Sequence, residues 1–137
     1  MQVYIAAYKG PASGLFNVIF HKAVCLITNS KYSHCELVVE GKAYSASARD
    51  GGVRVKTIDF NSGKWDLYPI QIDSRYVKDF FGETKDDPYD YLGLGYFLIP
   101  FIRGSKNRWF CSEWCATAMR LPKPSTMHIQ SIVDAIR

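Results

Sequence analysis

Residues 32–48, YSHCELVVEGKAYSASA, decide the fold because they predict two strands joined by a tight turn. Residues 32–40 end in a valine-rich apolar run that is typical of a strand, and residues 42–48 form the return strand. Glu40-Gly41 lies between the two segments and suits a two-residue hairpin loop. The centre of the fold is therefore predicted to be an antiparallel hairpin.

The segments on either side of this hairpin predict further strands and helices. Alternating apolar and polar residues indicate strands, and apolar residues at helical spacing indicate helices. The predicted strands are residues 3–7, 53–58 and 65–72, and the predicted helices are residues 15–28, 75–82, 89–97, 111–119 and 125–137, with a loop over residues 100–107. Because the strands lie between an early helix and late helices, we expect an α+β fold with an antiparallel sheet packed against helices.

Length and composition describe one globular domain. The chain has 137 residues, so residues 1–137 are expected to form a single domain. Hydrophobic residues make up 47% and charged residues 22%, which excludes a disordered, collagen-like or coiled-coil protein. Aromatic residues reach 15%, an excess that suggests a binding cleft.

Charge and hydropathy narrow the possible partners. The net charge of +4 is mild and the basic residues are scattered, so we expect no nucleic-acid partner. The first residues lack the pattern of a secretory leader, so we expect none, and the longest apolar run, residues 91–102, is too short to span a bilayer. We therefore expect a cytoplasmic protein without an integral membrane segment. A viral protein that acts in a host cell fits as well.

The four cysteines raise a choice between structure, metal and chemistry. They are Cys25, Cys35, Cys111 and Cys115. Disulfides are not the default in a cytoplasmic chain, and no pair has the two-residue spacing of common zinc knuckles. A structural zinc site made by all four cysteines stays as an alternative, but we expect no metal and no cofactor. The remaining interpretations are buried small hydrophobic residues or a reactive thiol.

Cys111 has the surroundings of a reactive thiol. It is predicted to begin a helix, where unpaired N–H groups and the helix dipole stabilise an anion. A cysteine in this position can have a pKa below that of an ordinary thiol, and a neighbouring imidazole lowers it further. His34, near the start of a predicted strand, is the candidate imidazole. Cys115 lies one turn deeper in the helix and is the better candidate for a buried structural cysteine.

Five short motifs, taken in order, resemble a known family. They are Tyr32-Ser33-His34, Tyr44-Ser45-Ala46, Gly52-Val53-Arg54, Pro88-Tyr89-Asp90 and Phe110-Cys111-Ser112-Glu113. Together they are similar to the circularly permuted, papain-like branch of the NlpC-type cysteine peptidases and amidases, which includes YiiX-like hydrolases and lecithin:retinol acyltransferase. The resemblance implies a papain-like fold, with Cys111 as the nucleophile at a helix N-terminus and His34 as the general base.

The third catalytic residue is open. In this family a polar group, often His or Glu, stands on the strand after the histidine and orients the imidazole. The hairpin loop places Ser45 opposite Glu36 and Ser47 opposite His34. Tyr44-Ser45 resembles the family's Tyr-Glu, so Ser45 ranks first as the orienting residue, although a hydroxyl cannot supply a negative charge. Glu36, on the same face of the strand as His34, ranks second, and Ser47 ranks third.

The expected activity is that of a cysteine hydrolase or acyltransferase. An amide, peptide or ester bond would break through an acyl-thioester on Cys111, and the resemblance points to cell-wall peptides or acyl-lipids as substrates, with a phage-like context for wall access. The backbone N–H of Cys111 is one oxyanion donor, and a second donor is open between Tyr91, Tyr96 and Trp109, for which core packing is the favoured interpretation. A binding module of the same fold with degraded catalysis is the alternative, because Ser45 stands where a stronger orienting group is expected.

Overall fold

The computed structural model describes residues 2–10, 14–28, 30–47, 50–88, 111–122, 124 and 129–136. Within these ranges the strands are β1 (Val3–Tyr8), β2 (His34–Val39), β3 (Lys42–Ser47), β4 (Gly52–Thr57) and β5 (Trp65–Ile70). The helices are α1 (Leu15–Thr28), α2 (Ser74–Thr84), α3 (Cys111–Ala118) and α4 (Ile129–Ile136). None of the described helices has the length and apolar character that a membrane crossing requires.

All five strands form one antiparallel sheet in the order β4-β3-β2-β1-β5. The first strand of the chain lies near the centre of the sheet, where it pairs with β2 on one side and with β5 on the other. Helix α1 lies between β1 and β2 in the chain, although the two strands are neighbours in the sheet. The expectation of an α+β fold with an antiparallel sheet is confirmed.

The hairpin of β2 and β3 has the predicted register. Leu37 pairs with Tyr44, and the intervening loop consists of Glu40 and Gly41. Both loop residues have positive φ, 53° and 78°, which is the backbone conformation of a type I′ turn. This turn matches the right-handed twist of the two strands, and it determines which side chains of β2 and β3 share a face.

The core lies between one face of the sheet and α3. On that face β2 carries Cys35, Leu37 and Val39, each at most 1% exposed. Helix α3 packs against β2 and β3 and contributes Trp114, which is fully buried. The indole Nε1 of Trp114 donates a hydrogen bond to Thr84 Oγ1 at 2.8 Å, which ties α3 to α2 without leaving a buried N–H unpaired. This packing fixes the start of α3 beside the start of β2.

Several predicted boundaries differ from the structure. β2 begins at His34, two residues later than predicted, and α2 is longer than predicted at both ends. Asp73 caps the start of α2 by accepting a hydrogen bond from the backbone N–H of Arg75 at 2.9 Å. The described part of the last helix begins at Ile129. The helix predicted over residues 89–97 and the loop predicted over residues 100–107 lie outside the described residues.

Gly52 lets the chain after α2 lie against the edge strand β4. The N–H of Val53 donates to the carbonyl of Asp87 at 2.9 Å, and Gly52 forms a bridge with Pro88. A Cβ atom on Gly52 would lie 2.2 Å from the Asp87 carbonyl oxygen, closer than any real contact. This close approach of two backbones explains why a glycine begins β4.

We predict that Gly52→Ala lowers the free energy of unfolding by about 2 kcal/mol, because the two backbones must separate to admit the methyl group. Urea unfolding measures the change. Gly82→Ala in α2 is the matched control, since a Cβ there meets nothing within 4 Å, and it should raise stability by about 0.5–1 kcal/mol. Equal effects of the two substitutions would contradict the prediction.

Candidate active site

Cys111 is the first residue of α3, as predicted, and its side chain is 6% exposed. The Cys35 thiol on β2 and the His34 imidazole both hydrogen-bond to it. The hydrogen bond from Cys35 and the positive charge of His34 outweigh the effect of burial and hold the pKa of Cys111 well below that of an ordinary thiol. The N-terminus of α3 acts in the same direction. These surroundings favour the thiolate of Cys111.

His34 is the first residue of β2, and its side chain is 20% exposed. Its Nε2 hydrogen-bonds to a carboxylate oxygen of Glu36, and its ring also hydrogen-bonds to Cys111. Burial by itself lowers the pKa of His34, but the negative charges of Glu36 and Cys111 outweigh burial and raise the pKa to about 10. The ring is therefore an imidazolium at neutral pH.

Glu36 is the carboxylate behind the imidazole. It lies two residues after His34 on β2, so both side chains project from the same face of the strand. The residue is fully buried. Burial raises its pKa, but the charge of His34 and the hydrogen bonds from Arg54 outweigh that effect and lower the pKa below its ordinary value. Glu36 is thus a buried carboxylate that stays ionised because cations lie on both of its sides.

Arg54 on β4 is the second cation. Its Nη1 donates to Glu36 Oε1 and its Nη2 donates to Glu36 Oε2, both at 2.6 Å. Its Nε donates to Asp50 Oδ2 at 2.7 Å, and Lys56 Nζ donates to the same oxygen at 3.0 Å. Burial lowers the pKa of Arg54, but the hydrogen bonds that it donates to Glu36 and Asp50 outweigh burial and raise the pKa.

The hydroxyl of Ser45, the first-ranked candidate for orienting the imidazole, is turned to the backbone of β2. The Ser45 hydroxyl donates to the backbone carbonyl of Cys35 at 2.7 Å, and Ser47 accepts from the N–H of Asp50 at 3.4 Å. The contact expected between Ser45 and the imidazole is made by Glu36, the second-ranked candidate. The physical reason is that the one proton of the Ser45 hydroxyl satisfies a buried carbonyl of the neighbouring strand.

Aromatic residues near the predicted motifs mostly belong to the core. Tyr32, Tyr44 and Trp114 are at most 8% exposed, whereas Trp109 and Phe110 lie outside the described residues. The ring beside the imidazole belongs instead to Trp65 on β5, whose centroid lies 6.2 Å from that of His34 in an edge arrangement. The sequence offered no motif for Trp65, because its place follows from the order of the strands.

The four cysteines do not gather at one place. Cys25 lies on α1, where its sulfur is 3.8 Å from His21 Nε2, while Cys35, Cys111 and Cys115 lie in the core. Among the described residues no group of three or more His, Cys, Asp or Glu side chains is arranged to hold a metal ion. Cys115 is fully buried, and its thiol points at the Cys35 carbonyl at 3.8 Å, in keeping with a structural role.

The backbone N–H of Cys111 is the candidate oxyanion donor within the described residues. Cys111 begins α3, so its backbone N–H belongs to the helical turn whose donors have no intrahelical partner. Tyr91, Tyr96 and Trp109, the candidates for the second donor, lie outside the described residues.

Sequence reasoning missed the parts played by Arg54 and Asp50. Leu37 pairs with Tyr44, so the residues next to them, Glu36 and Ser45, share the opposite face of the sheet, and Arg54 pairs with Ser45. The three residues therefore form one row across β4, β3 and β2, on one face of the sheet. Only the pairing of β3 with β4, which the sequence does not specify, was needed to see this row.

The ion pairs of Glu36 and His34 stabilise the fold only within a range of pH. The pKa of Glu36 is lowered, so its contribution to folding is lost as the pH falls through that lowered pKa. The pKa of His34 is raised to about 10, so its contribution is complete below the ordinary imidazole pKa and is lost as the pH rises through about 10. Neutral pH lies inside this range.

We predict that Glu36→Gln lowers the pKa of His34 by at least about two pH units, because the ring loses the negative charge that holds its proton. Titration of the ring nitrogens by NMR measures this pKa. Ser45→Ala is the matched control, since it removes a polar group from the neighbouring strand without touching the ring. It should leave the pKa of His34 at about 10. If the pKa of His34 fell in Ser45→Ala and stayed unchanged in Glu36→Gln, the orienting role would return to Ser45.

Comparison of the chain with protein-family models, with curated proteins and with solved structures gives no match. What the site does must therefore be inferred from its own residues.

Proposed function

We propose that this chain is a cysteine-dependent hydrolase or acyltransferase, with Cys111 as the nucleophile and His34 as the general acid and base. The observation that carries the proposal is the contact of Cys111 with an imidazole whose other neighbour is the buried carboxylate Glu36. A nucleophile, a base and a group that orients the base are the three parts of a catalytic triad.

In the first half of the proposed reaction, the Cys111 thiolate attacks the carbonyl carbon of an amide, peptide or ester. A carbon–sulfur bond forms, and the negative charge that develops on the carbonyl oxygen faces the N-terminus of α3. The imidazolium of His34 then gives its proton to the leaving nitrogen or oxygen as the bond from that atom to the carbonyl carbon breaks. An acyl-thioester on Cys111 and a neutral imidazole remain.

In the second half, a hydroxyl or amine group attacks the thioester. The neutral imidazole of His34 accepts the proton of the attacking group, the carbon–sulfur bond breaks and the thiolate returns. Water as the attacking group makes the chain a hydrolase, and an alcohol or amine makes it an acyltransferase. Glu36 acts throughout as a positioning residue, since it holds the ring and stabilises its charged form.

The fold and substrate that we propose come from the resemblance of the motifs. A cysteine at the start of a helix beside a histidine on an antiparallel sheet is compatible with a permuted papain-like fold of the NlpC type. Cell-wall peptides and acyl-lipids are the substrate classes that this resemblance suggests. The alternative of a binding module with degraded catalysis rests on Ser45, which cannot supply a negative charge. The buried carboxylate of Glu36 beside the imidazole offers such a charge, and this supports the catalytic proposal over the alternative.

Selective alkylation tests the proposed nucleophile. We predict that iodoacetamide at about pH 6 modifies Cys111 of the native protein at least roughly tenfold faster than Cys25, because the ordinary thiol is almost fully protonated at that pH. Peptide mass spectrometry of the alkylated protein measures both rates. Cys25 is the more exposed of the two, so accessibility alone would favour alkylation of Cys25.

Two variants complete the experiment. Cys111→Ala should remove the fast phase of alkylation, whereas Cys25→Ala should leave its rate unchanged. Equal labelling of wild type and Cys111→Ala would show that Cys111 carries no activated thiolate, and the proposed mechanism would be abandoned. An acyl group retained on Cys111 after incubation with candidate esters or amides would then identify the substrate class.

A further inference from the structure

The side chain of Arg54 reaches Glu36 across an intervening strand. Arg54 lies on β4 and Glu36 on β2, and β3 runs between them. The residue of β3 in the same row is Ser45, which is fully buried and whose hydroxyl is turned to the carbonyl of Cys35. A small side chain at this position leaves the space through which the arginine extends. Both carboxylate oxygens of Glu36 accept hydrogen bonds from Arg54 at 2.6 Å.

The charges of the site balance only when Arg54 is counted. The thiolate of Cys111 and the carboxylate of Glu36 are two anions, and the imidazolium of His34 is one cation. A buried group of this kind with a net negative charge is costly, because a charge removed from water must be paired or neutralised. Arg54, with a side chain 15% exposed, supplies the second cation, so the thiolate, imidazolium, carboxylate and guanidinium sum to zero, while Asp50 and Lys56 form a further pair of opposite charges at the outer end. Without Arg54, one of the two anions would take up a proton.

Arg54 is itself held in place. Asp50 accepts its Nε–H at 2.7 Å, so the guanidinium is fixed from the side opposite Glu36. Burial raises the pKa of Asp50, but the hydrogen bonds from Arg54 and Lys56 outweigh it and lower the pKa to about 2, so this carboxylate remains ionised. A planar guanidinium that is clamped on one side by Asp50 can present two parallel donors to Glu36 on the other.

We propose that Arg54 is a positioning residue of the site, which acts on Cys111 through Glu36 and His34 by keeping the Glu36 carboxylate ionised and oriented. This proposal rests on the function proposed above. It adds Arg54 to the three residues Cys111, His34 and Glu36. Asp50 fixes the guanidinium, and the small size of Ser45 admits it. Among the described residues, the amine of Lys56 bonds the outer carboxylate, Asp50, and not Glu36, so Lys56 is not required.

Two titrations test the proposal. In Arg54→Met the pKa of the Glu36 carboxyl, followed by carbon NMR, should rise above its value in the wild type. The rate at which iodoacetamide alkylates Cys111 falls as the pH is lowered, and we call this fall the acid limb. In Arg54→Met the acid limb should move to higher pH, and a movement of one pH unit lowers the rate at a fixed acid pH roughly tenfold. Arg54→Lys, which keeps the charge but loses the paired donors, should lie between the wild type and Arg54→Met.

The control is Lys56→Met on the same strand and the same face. It removes one positive charge two residues from Arg54 without touching Glu36, so the Glu36 pKa and the acid limb should stay close to the wild type. Circular dichroism of each variant confirms that the sheet is intact. If Arg54→Met proves too unstable to titrate, Asp50→Asn provides the second test, with a smaller rise of the Glu36 pKa.

The outcomes separate the positioning role from the proposed function. An unchanged Glu36 pKa in Arg54→Met and Asp50→Asn overturns the positioning role, whatever the chain catalyses. A rise of the Glu36 pKa without movement of the Cys111 acid limb also overturns it, because the effect would then stop short of the thiol. If no substrate is ever found but both titrations move together, the positioning of the thiolate stands while the hydrolase proposal does not.

Discussion

The carboxylate of Glu36 is the group on which the arrangement of the sheet depends. A carboxylate with no exposed surface costs several kcal/mol unless cations and hydrogen-bond donors surround it. Here those partners come from two different strands, since His34 precedes it on β2 and Arg54 reaches it from β4. The order of β4, β3 and β2 and the register between them are therefore conditions for burying this charge at all.

The same register places the thiol. Because residues alternate between the two faces of β2, His34 and Glu36 share one face while Cys35 points into the core with Leu37. Helix α3 packs on β2 and β3, and the buried Trp114 anchors it to α2. Its first residue, Cys111, then meets both Cys35 and His34. The surroundings of the Cys111 thiol thus follow from packing of the core on one face of the sheet and pairing of charges on the other.

The sequence could predict the hairpin because its determinants are local. Glu40-Gly41 specifies a turn, and the turn specifies which residues of β2 and β3 oppose each other. The start of α3 at Cys111 and the contact of Cys111 with His34 were also predicted, the first from helical patterning and the second from the resemblance of the motifs. The role of Arg54 could not be predicted, since it requires the pairing of β3 with β4 and a side chain that crosses a strand. The sequence ranked Ser45 above Glu36 because the motif placed the orienting group on the second strand. In the structure the Ser45 hydroxyl is bonded to the Cys35 carbonyl, and Glu36 is bonded to His34.

Ser45 and Glu36 occupy neighbouring positions of one row, and this has a consequence for how such sites vary. A carboxylate on either strand could lie beside the same imidazole, provided that the other position is small and the row ends in a cation. The orienting residue can therefore exchange places between the two strands of the hairpin while the chemistry is preserved. Substitutions at positions 36, 45 and 54 should be tolerated as a set far more often than singly. A search pattern that ties the orienting residue to one strand will overlook chains in which it has moved to the other.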